Sequence, residues 1–491
     1  MKTPVFDFVT RYCESGMSRL HMPGHKGKGP LGIEARDITE IRGADVLSEA
    51  EGIIGESEDM ATRLFGSGRS FYLTEGSSQG IRAMLFLALK LQPPGRPAAS
   101  RPLVLAARNV HRAMVSALAL LDADAAWIYP EQAPEKAPDS VCSCHPTAAG
   151  VRSALTRLKE EGRLPFAVYI TSPDYLGMQA PVREIAEVSH AFGVPLLVDN
   201  AHGAYLHFLE TPCHPMDLGA DLCCDSAHKT LPCLTGGAYL HLSPQAASRL
   251  PASLVRSSLV LFGSTSPSYL TLQSLDLVNA ALAGDWPGRL RETARRVRGL
   301  REYLRLFGHE VLETEPLKLT FSLGRGAGTR AADQLRRWGV EPEFSDVNYV
   351  VLMFSPDNTA LDYQRVREFI RHAGSPGKPP AFDQARLSGP AESGQGACAP
   401  APDITSSDVV SQDAAALSLC LRPLEQAISV REAVFLPQEE IDVRKAAGRI
   451  MGAVTVSCPP AVPIAVSGER ITEDLIPVFL SCGIETVSVI V

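Results

Sequence analysis

The chain has 491 residues, of which 45% are hydrophobic and 21% charged, and this length is sufficient for roughly two to four structural units around a large core. The formal net charge of −8 argues against nucleic acid or an anionic membrane as a partner, and the chain has no apolar run of about 18 residues to span a membrane. The 11 cysteines include no Cys-x-x-Cys pair, which argues against a disulfide framework and favours a reducing cytoplasm.

The first segment with chemical content is a Gly/Ser loop, Leu73-Thr-Glu-Gly-Ser-Ser-Gln-Gly80, which leads into a helical run from Ile81 to Leu91. A helix that begins after such a loop presents backbone N–H groups and a positive dipole end, which suits a phosphate. Because Ser and Gly also cap ordinary helices, a purely structural loop is the alternative. His111 precedes the next helical run. Its imidazole suits stacking on a pyridine ring, and a buried structural histidine is the alternative.

The middle of the chain alternates apolar runs with helical patterns. The apolar runs Leu103-Val-Leu-Ala, Phe166-Ala-Val-Tyr-Ile and Val194-Pro-Leu-Leu-Val are typical of buried strands. A helical pattern runs from about Pro181 and is expected to stop at Gly193. Strand–helix alternation of this kind predicts a mainly parallel sheet with helices on both faces.

Asp199 ends the third of these apolar runs, in Val194-Pro-Leu-Leu-Val-Asp-Asn-Ala-His-Gly203. A carboxylate at the end of a buried strand is costly unless it has a cationic partner or a backbone cap. The pyridinium nitrogen of pyridoxal phosphate (PLP) is such a partner, because an aspartate beside it keeps the ring protonated. The alternative is an aspartate that only caps the next turn.

Lys229 lies in Asp225-Ser-Ala-His-Lys-Thr-Leu231, directly after the apolar run Ala220-Asp-Leu-Cys-Cys. A partly desolvated lysine beside a small polar loop can attack an aldehyde. Ser226 and His228 flank it and can donate to a phosphate. The separation of 30 residues from Asp199 suits neighbouring strands. Taken alone, Lys229 is also typical of a surface lysine.

After about residue 275 the pattern changes. Residues 289–306 form a basic amphipathic helix, which suits a solvated face or a linker between domains better than nucleic-acid binding. Residues 373–417 are rich in Gly, Pro, Ala and Ser and are predicted to be a flexible insertion. Apolar pattern resumes at Leu417, and Ile484-Glu-Thr-Val-Ser-Val-Ile-Val491 is predicted to be a strand.

Taken together, these segments resemble the ornithine/lysine/arginine decarboxylase family, the group I basic amino acid decarboxylases. The resemblance covers most of the chain in the right order. The motifs around Lys229 and His21 are the most specific ones. The further stretches that carry it are His21-Met-Pro-Gly-His-Lys-Gly27, Asp37-Ile-Thr-Glu40, Thr171-Ser-Pro-Asp-Tyr-Leu-Gly177, Thr265-Ser-Pro-Ser-Tyr269 and Ser467-Gly-Glu-Arg-Ile471.

The resemblance implies a PLP-dependent transferase fold like that of aspartate aminotransferase. This fold has a mainly parallel seven-stranded α/β sheet flanked by helices and a smaller C-terminal α+β domain. The predicted division is an N-terminal arm, a PLP-binding large domain, a linker helix with part of the small domain, the insertion and a C-terminal domain. Their ranges are 1–60, 61–275, 276–372, 373–417 and 418–491.

The resemblance also assigns roles within the site. Lys229 would form the internal aldimine, Asp199 would pair with the ring nitrogen and His111 would stack on the ring. His202 would lie near the phenolic oxygen of the ring or the carboxyl side of the substrate. No metal is expected. The phosphate would be held by Ser77, Ser78, Gln79, Ser226 and His228.

The implied reaction is α-decarboxylation of a basic amino acid, with arginine preferred over lysine or ornithine, to a precursor of polyamines. The motif of Thr265–Tyr269 resembles one that reaches across a dimer interface, which implies a homodimer or a larger homo-oligomer. The His21 motif begins near the start, as in the short family members without an extra N-terminal domain. The substrate's distal cation needs an acidic partner, and the candidates are Glu469, Glu343 and Asp346, each also typical of a surface carboxylate or a salt bridge.

Three departures from the family pattern leave the substrate open. The family's Asp-Glu-Ala-His-Gly is Asp199-Asn-Ala-His-Gly here, its Pro-Pro-Gly-Ile-Pro is Pro459-Pro-Ala-Val-Pro463, and its Pro-Gly-Glu is Ser467-Gly-Glu. An aminotransferase or lyase of the same fold, or a non-catalytic PLP-binding relative, remains an alternative. We find no arginine in a motif that clearly supplies the carboxylate clamp a transaminase usually needs.

Overall fold

The structure is a computed structural model that describes residues 1–92, 101–129, 138–373, 419, 421–456 and 459–491. The predicted insertion at 373–417 lies outside these ranges, apart from Ala373. Within them, none of the helices combines the length and the apolar character needed to cross a membrane.

A seven-stranded sheet forms the centre of the described chain, in the order β1-β7-β6-β5-β4-β2-β3. Strands β2 to β6 run parallel, and β7 runs antiparallel to β6 and to β1. Because parallel strands end at the same edge of a sheet, the loops after β2, β4, β5 and β6 meet there. The strands are β1 (Arg69–Leu73), β2 (Leu103–Ala107), β3 (Asp124–Ile128), β4 (Ala167–Thr171), β5 (Leu196–Asp199), β6 (Leu222–Asp225) and β7 (Ala238–Leu242).

Helices cover both faces of this sheet. One face packs on the third, fourth and ninth helices, and the other packs on the fifth and sixth and on the first, second and tenth. The helices of this part are α1 (Pro4–Glu14), α2 (Ile53–Leu64), α3 (Ser77–Lys90), α4 (Arg112–Leu121), α5 (Ala148–Glu160), α6 (Val182–Ala191), α7 (Ala227–Thr230), α8 (Pro244–Arg249), α9 (Ala252–Leu261) and α10 (Tyr269–Leu282).

A long helix leads from this sheet to a second, smaller one. Its buried residues Val297, Leu300 and Leu304 pack against the antiparallel sheet β10-β11-β9-β8, whereas Leu290 packs in the core beside the large sheet. The elements here are α11 (Trp286–Leu306), β8 (Glu310–Val311), β9 (Lys318–Ser322), α12 (Gly328–Arg337), β10 (Phe344–Ser345), β11 (Val350–Met353) and α13 (Ala360–His372).

The C-terminal part adds a two-stranded antiparallel sheet, β12-β13. Its buried side chains share a hydrophobic core with residues from loops earlier in the chain, such as Val141 and Leu176. We keep the predicted domain division as a proposal, since the three sheets fall on successive stretches of chain. The elements are α14 (Val430–Phe435), β12 (Gln438–Asp442), α15 (Ile476–Ser481) and β13 (Thr486–Ile490).

The predicted strands near Leu103, Phe166, Val194 and the C-terminus are confirmed, as is the helix that ends before Gly193. The predicted first residues of two helices were wrong. Helix α11 begins three residues earlier than predicted, because Pro287 fits its first turn. Helix α3 begins at Ser77 rather than Ile81, because the Gly/Ser loop itself supplies the first turn.

Candidate active site

Lys229 lies in α7, a single helical turn that follows β6 directly. Its Nζ is 3.2 Å from Nε2 of His202, which lies in the loop after β5. Because β5 and β6 are parallel neighbours, the loops that follow them lie at the same edge of the sheet. The predicted proximity of the Asp199 and Lys229 segments is therefore confirmed.

Asp199 is the last residue of β5 and is 1% exposed. Its Oδ2 accepts a hydrogen bond from the Tyr169 hydroxyl at 3.2 Å, and its Oδ1 accepts one from the backbone N–H of Ala201 at 3.2 Å. Burial raises the pKa of Asp199 to about 6, against the opposing charge of Lys229. The carboxylate is thus buried with two neutral donors and lies within the field of the lysine.

Two histidines complete the surroundings of Lys229. His111 caps the N-terminus of α4, where its Nδ1 accepts from the N–H of Ala113 at 3.1 Å. Burial and then the charge of Lys229 lower the pKa of His111 to about 4, and the same two causes lower the pKa of His202 well below its ordinary value. Both imidazoles are therefore neutral near pH 7.

The Gly/Ser loop lies on the other side of Lys229. Gly76 precedes α3 with a φ of 73°, in the region that favours glycine. The Ser226 hydroxyl donates to the Ser77 hydroxyl at 2.6 Å, which joins the start of α3 to the lysine turn. Gly80 allows this approach, because a Cβ there would lie 2.4 Å from Sγ of Cys224. The first turn of α3, with Ser77 and Ser78, forms a cradle for an anion.

Two of the expected phosphate ligands are placed less directly. The amide nitrogen of Gln79 donates to the carbonyl of Leu259 at 2.9 Å, so this donor already has a partner within the chain, and a contact between Gln79 and a phosphate stays a prediction. Nδ1 of His228 lies 3.0 Å from the carbonyl of Gly237 and donates to it. Nε2 of His228 can therefore donate to a phosphate only when the ring is protonated.

The side of the site away from the cradle is formed by Tyr175 and Glu343. The Tyr175 ring packs edge-on against His202, with centroids 5.0 Å apart, and its hydroxyl donates to Glu343 at 2.7 Å. Lys318 of β9 holds this loop from behind, because its buried Nζ donates to the carbonyls of Asp174 and Tyr175. Glu343 is exposed, so its carboxylate is accessible to a cation that enters from solvent.

The other two acidic candidates have partners inside the protein, so a contact of either one with a substrate stays a prediction. Glu469 is 1% exposed and forms an ion pair of 3.1 Å with the equally buried Arg108. Asp346 accepts from the N–H groups of Asn348 and Tyr349 at 2.8 and 2.7 Å, so it caps the turn before β11. The sequence did not predict these partners. Asp346 accepts from N–H groups of its own turn, whereas Glu469 meets its partner across more than 300 residues of chain.

Three residues of the site were not predicted. Tyr169 contacts Asp199 from inside a continuous apolar strand. Because apolar and polar residues do not alternate in that strand, its pattern did not mark Tyr169 as a residue of the site. Lys318 begins a strand in a different sheet, which the sequence did not place near the site. Tyr175 lies in the quoted stretch Thr171–Gly177, so the resemblance marked its position but not its contact with Glu343.

These residues fit PLP. The buried Nδ1 of His202 makes no hydrogen bond to any residue of the described ranges, so it can take a polar atom of a ligand. The buried Asp199 suits a ring cation, and the α3 cradle suits a phosphate. Lys229, in the turn joined to the cradle through Ser226, is the amine that would carry the aldehyde carbon.

Comparisons with known proteins agree with this geometry. Residues 3–306 match the family model described as Orn/Lys/Arg decarboxylase, major domain. The arginine decarboxylase of Bacillus subtilis is 27% identical over 96% of this chain and 92% of its own length, and that of Bacillus anthracis is 26% identical over 96% and 91%.

The solved structure of the lysine decarboxylase LdcF of Francisella novicida superposes with a TM-score of 0.75. It is 15% identical and covers 100% of this chain and 81% of its own. At that identity the likeness shows the fold alone, which is the PLP-dependent fold type I predicted from the sequence. With its family model matched over more than half of its length, the chain belongs to the Orn/Lys/Arg decarboxylase family.

Proposed function

We propose that the protein is a PLP-dependent α-decarboxylase of a basic amino acid, with arginine preferred over lysine or ornithine. The observation that carries the proposal is the position of the Lys229 amine, 3.2 Å from His202 at the sheet edge where Asp199 ends β5. The preference for arginine rests on relatives such as the Bacillus subtilis arginine decarboxylase, which match over nearly the whole chain.

Bound PLP supplies an electron sink for the electron pair of the Cα–carboxylate bond. Lys229 would hold the cofactor covalently, and its amine would return a proton to Cα of the substrate. Asp199 would keep the proton on the ring nitrogen, because a cation beside its buried carboxylate relieves the cost of burying that charge. His111 would pack against the ring, where its neutral state would avoid repulsion with the protonated nitrogen.

Ser77, Ser78, Ser226 and the first turn of α3 hold the phosphate in the proposed site. The hydroxyl–hydroxyl contact between Ser226 and Ser77 supports this, since both groups can turn toward an added acceptor. When a bound phosphate dianion favours protonation of the His228 ring, His228 adds a positive charge beside the phosphate. His202 packs against Tyr175, and we propose that the substrate enters on this side of Lys229.

We propose Glu343 as the partner of the substrate's distal cation. Its carboxylate is exposed, and Tyr175 holds it on the His202 side of the site. Glu343→Gln is expected to raise KM for arginine roughly tenfold or more, with unchanged cofactor affinity. Glu341→Gln is the matched control, because Glu341 is exposed two residues away and pairs with Arg336 instead. Equal KM values for the two variants would remove Glu343 from the proposal.

The proposed activity is tested by incubating the pure protein with PLP and, separately, arginine, lysine and ornithine, with amines and CO₂ measured. Release of the cognate amine from at least one of them is expected, fastest from arginine. Transfer of the amino group to a keto acid would identify an aminotransferase instead. Bound PLP with no turnover of any amino acid would support a non-catalytic relative.

We also propose a cytoplasmic homodimer that supplies a precursor of polyamines. Met17, Leu20 and Leu31 of the N-terminal segment are exposed by 67%, 92% and 77%, which suits coverage by a second subunit. The loop at Ser264 contacts Glu75 beside the cradle, so a partner that binds there would border the site. The described cysteines are free, as in a reducing compartment. Light scattering at twice the chain mass is the expected result.

A further inference from the structure

Asp225 lies directly below the lysine turn, at the end of β6, and is fully buried. Its Oδ2 lies 2.9 Å from Nε2 of His214 and 3.3 Å from Nε2 of His241. Nδ1 of His214 accepts from the N–H of Met216 at 3.2 Å, so the proton of this ring is on the nitrogen that faces Asp225. The two histidines therefore occupy one oxygen of the carboxylate.

The charge state of Asp225 follows from these neighbours. Burial by itself raises the pKa of Asp225, but the charges and hydrogen bonds of His214 and His241 outweigh burial and hold the pKa below its ordinary value. The carboxylate is therefore ionised near pH 7. Its second oxygen, Oδ1, thus needs a donor and repels any negative group.

Asn200 supplies that donor. It follows Asp199 directly, is fully buried, and its Nδ2 donates to Oδ1 of Asp225 at 2.8 Å. Its backbone N–H also donates to the carbonyl of Cys224. A glutamate or aspartate at position 200 would face Asp225 with a like charge, so the amide at this departure from the family pattern matches its neighbour.

We propose that the hydrogen bond between Asn200 and Asp225 is a positioning link that sets the spacing of Asp199 and Lys229 for the cofactor. Asn200 belongs to the turn that carries Asp199 and His202, and Asp225 begins the turn that carries Ser226 and Lys229. The bond joins the segments that follow β5 and β6, and we expect neither side chain to touch the cofactor. The inference rests on the proposed cofactor site.

The first test removes the donor without adding a charge. Oδ1 of Asp225 then keeps the weaker thiol donor of Cys223, at 3.4 Å. Asn200→Ala is expected to weaken PLP binding to the apoprotein about tenfold, because the link between the two turns loses its amide donor, and to change the absorption spectrum of the bound cofactor. Asn279→Ala is the matched control. Asn279 is equally buried, but its amide donates to Ser57 and Tyr72. The control is expected to lower the thermal midpoint and to leave PLP affinity unchanged.

The second test exchanges the two groups. Asn200→Asp alone places two carboxylates in contact and is expected to weaken PLP binding more than Asn200→Ala. Asn200→Asp combined with Asp225→Asn restores a bond of reversed polarity, since the new amide oxygen still accepts from His214. The exchanged pair is expected to bind PLP more tightly than either single variant.

The outcomes separate the inference from the proposed function. A folded Asn200→Ala protein with wild-type PLP affinity and spectrum overturns the positioning link. If Asn200→Ala does not fold, the exchanged pair decides: affinity no better than that of Asp225→Asn alone overturns the link. A wild-type protein that takes up no PLP contradicts the proposed function instead.

Discussion

Two carboxylates in this protein are equally buried but differ in their partners. Asp199, at the edge of the large sheet, and Glu469, in the C-terminal part, are each 1% exposed. Glu469 has a buried cation, Arg108, at 3.1 Å. Asp199 has two neutral donors, the Tyr169 hydroxyl and the Ala201 N–H.

The difference separates a structural carboxylate from one that is prepared for a ligand. The charge of Glu469 is matched when the chain folds, so little attraction is left for a substrate. The charge of Asp199 is incompletely matched, as its raised pKa of about 6 indicates, and a bound ring cation would complete the pairing. Buried carboxylates are therefore informative about function only once their partners are known.

The largest expected effect is on the Glu469 side. Arg108→Met leaves a buried carboxylate without its cation and is expected to lower the free energy of unfolding by about 3–5 kcal/mol. Replacing both residues by Met is expected to recover most of this loss. Chemical denaturation measures both. A Glu469→Gln variant with normal stability but a raised KM for arginine would contradict the structural role of Glu469, because this carboxylate would then face the substrate.

On the Asp199 side, Asp199→Asn is expected to reduce kcat/KM about 10²–10³-fold, because the amide cannot hold the ring nitrogen in its protonated state. Asp276→Asn is a matched control. Burial also raises the pKa of Asp276 to about 6, but this carboxylate accepts from Val5 and Phe6 at the start of α1. Steady-state kinetics that show equal losses for the two variants would contradict the assigned role of Asp199.

A pH titration of the unfolding free energy tests the electrostatic surroundings of Lys229 at His111. Burial and the charge of Lys229 lower the pKa of His111 to about 4 from 6.5. A lowered histidine pKa contributes stability that is present above pH 6.5 and is lost as the pH falls toward 4. Relative to His111→Asn, which keeps an N-cap acceptor, the wild-type apoprotein is expected to lose roughly 2 kcal/mol across this range. A pH-independent difference in unfolding free energy would mean that neither burial nor Lys229 lowers the pKa of His111.

The smallest expected effect concerns the neutral donor on Asp199. Tyr169→Phe removes the hydroxyl that contacts Oδ2 and is expected to lower kcat/KM by about fivefold, as for one hydrogen bond of about 1 kcal/mol. Tyr239→Phe is the control, because the buried Tyr239 hydroxyl has no hydrogen-bond partner in the described residues. If the two variants behave alike in kinetics and in PLP affinity, Tyr169 does not act through Asp199.

The sequence predicted the parts of the site that lie in short local motifs. Lys229, Asp199 and the Gly/Ser loop before α3 each follow or precede a strong apolar pattern, so their positions at the sheet edge could be inferred from strand order. The partners of Glu469 and Asp225 could not be inferred. Arg108 meets Glu469 across 361 residues, and no local pattern encodes a contact of that separation.

The proposed covalent link between Lys229 and the cofactor is tested most directly by reduction with borohydride. The purified protein is incubated with PLP, reduced, digested and mapped by mass spectrometry. We predict a pyridoxyl group on the peptide with Lys229 and none on that peptide in Lys229→Ala. Lys318 is the informative competitor, since burial lowers its pKa to about 8. Label on Lys318 instead, or no label at all, would contradict the account.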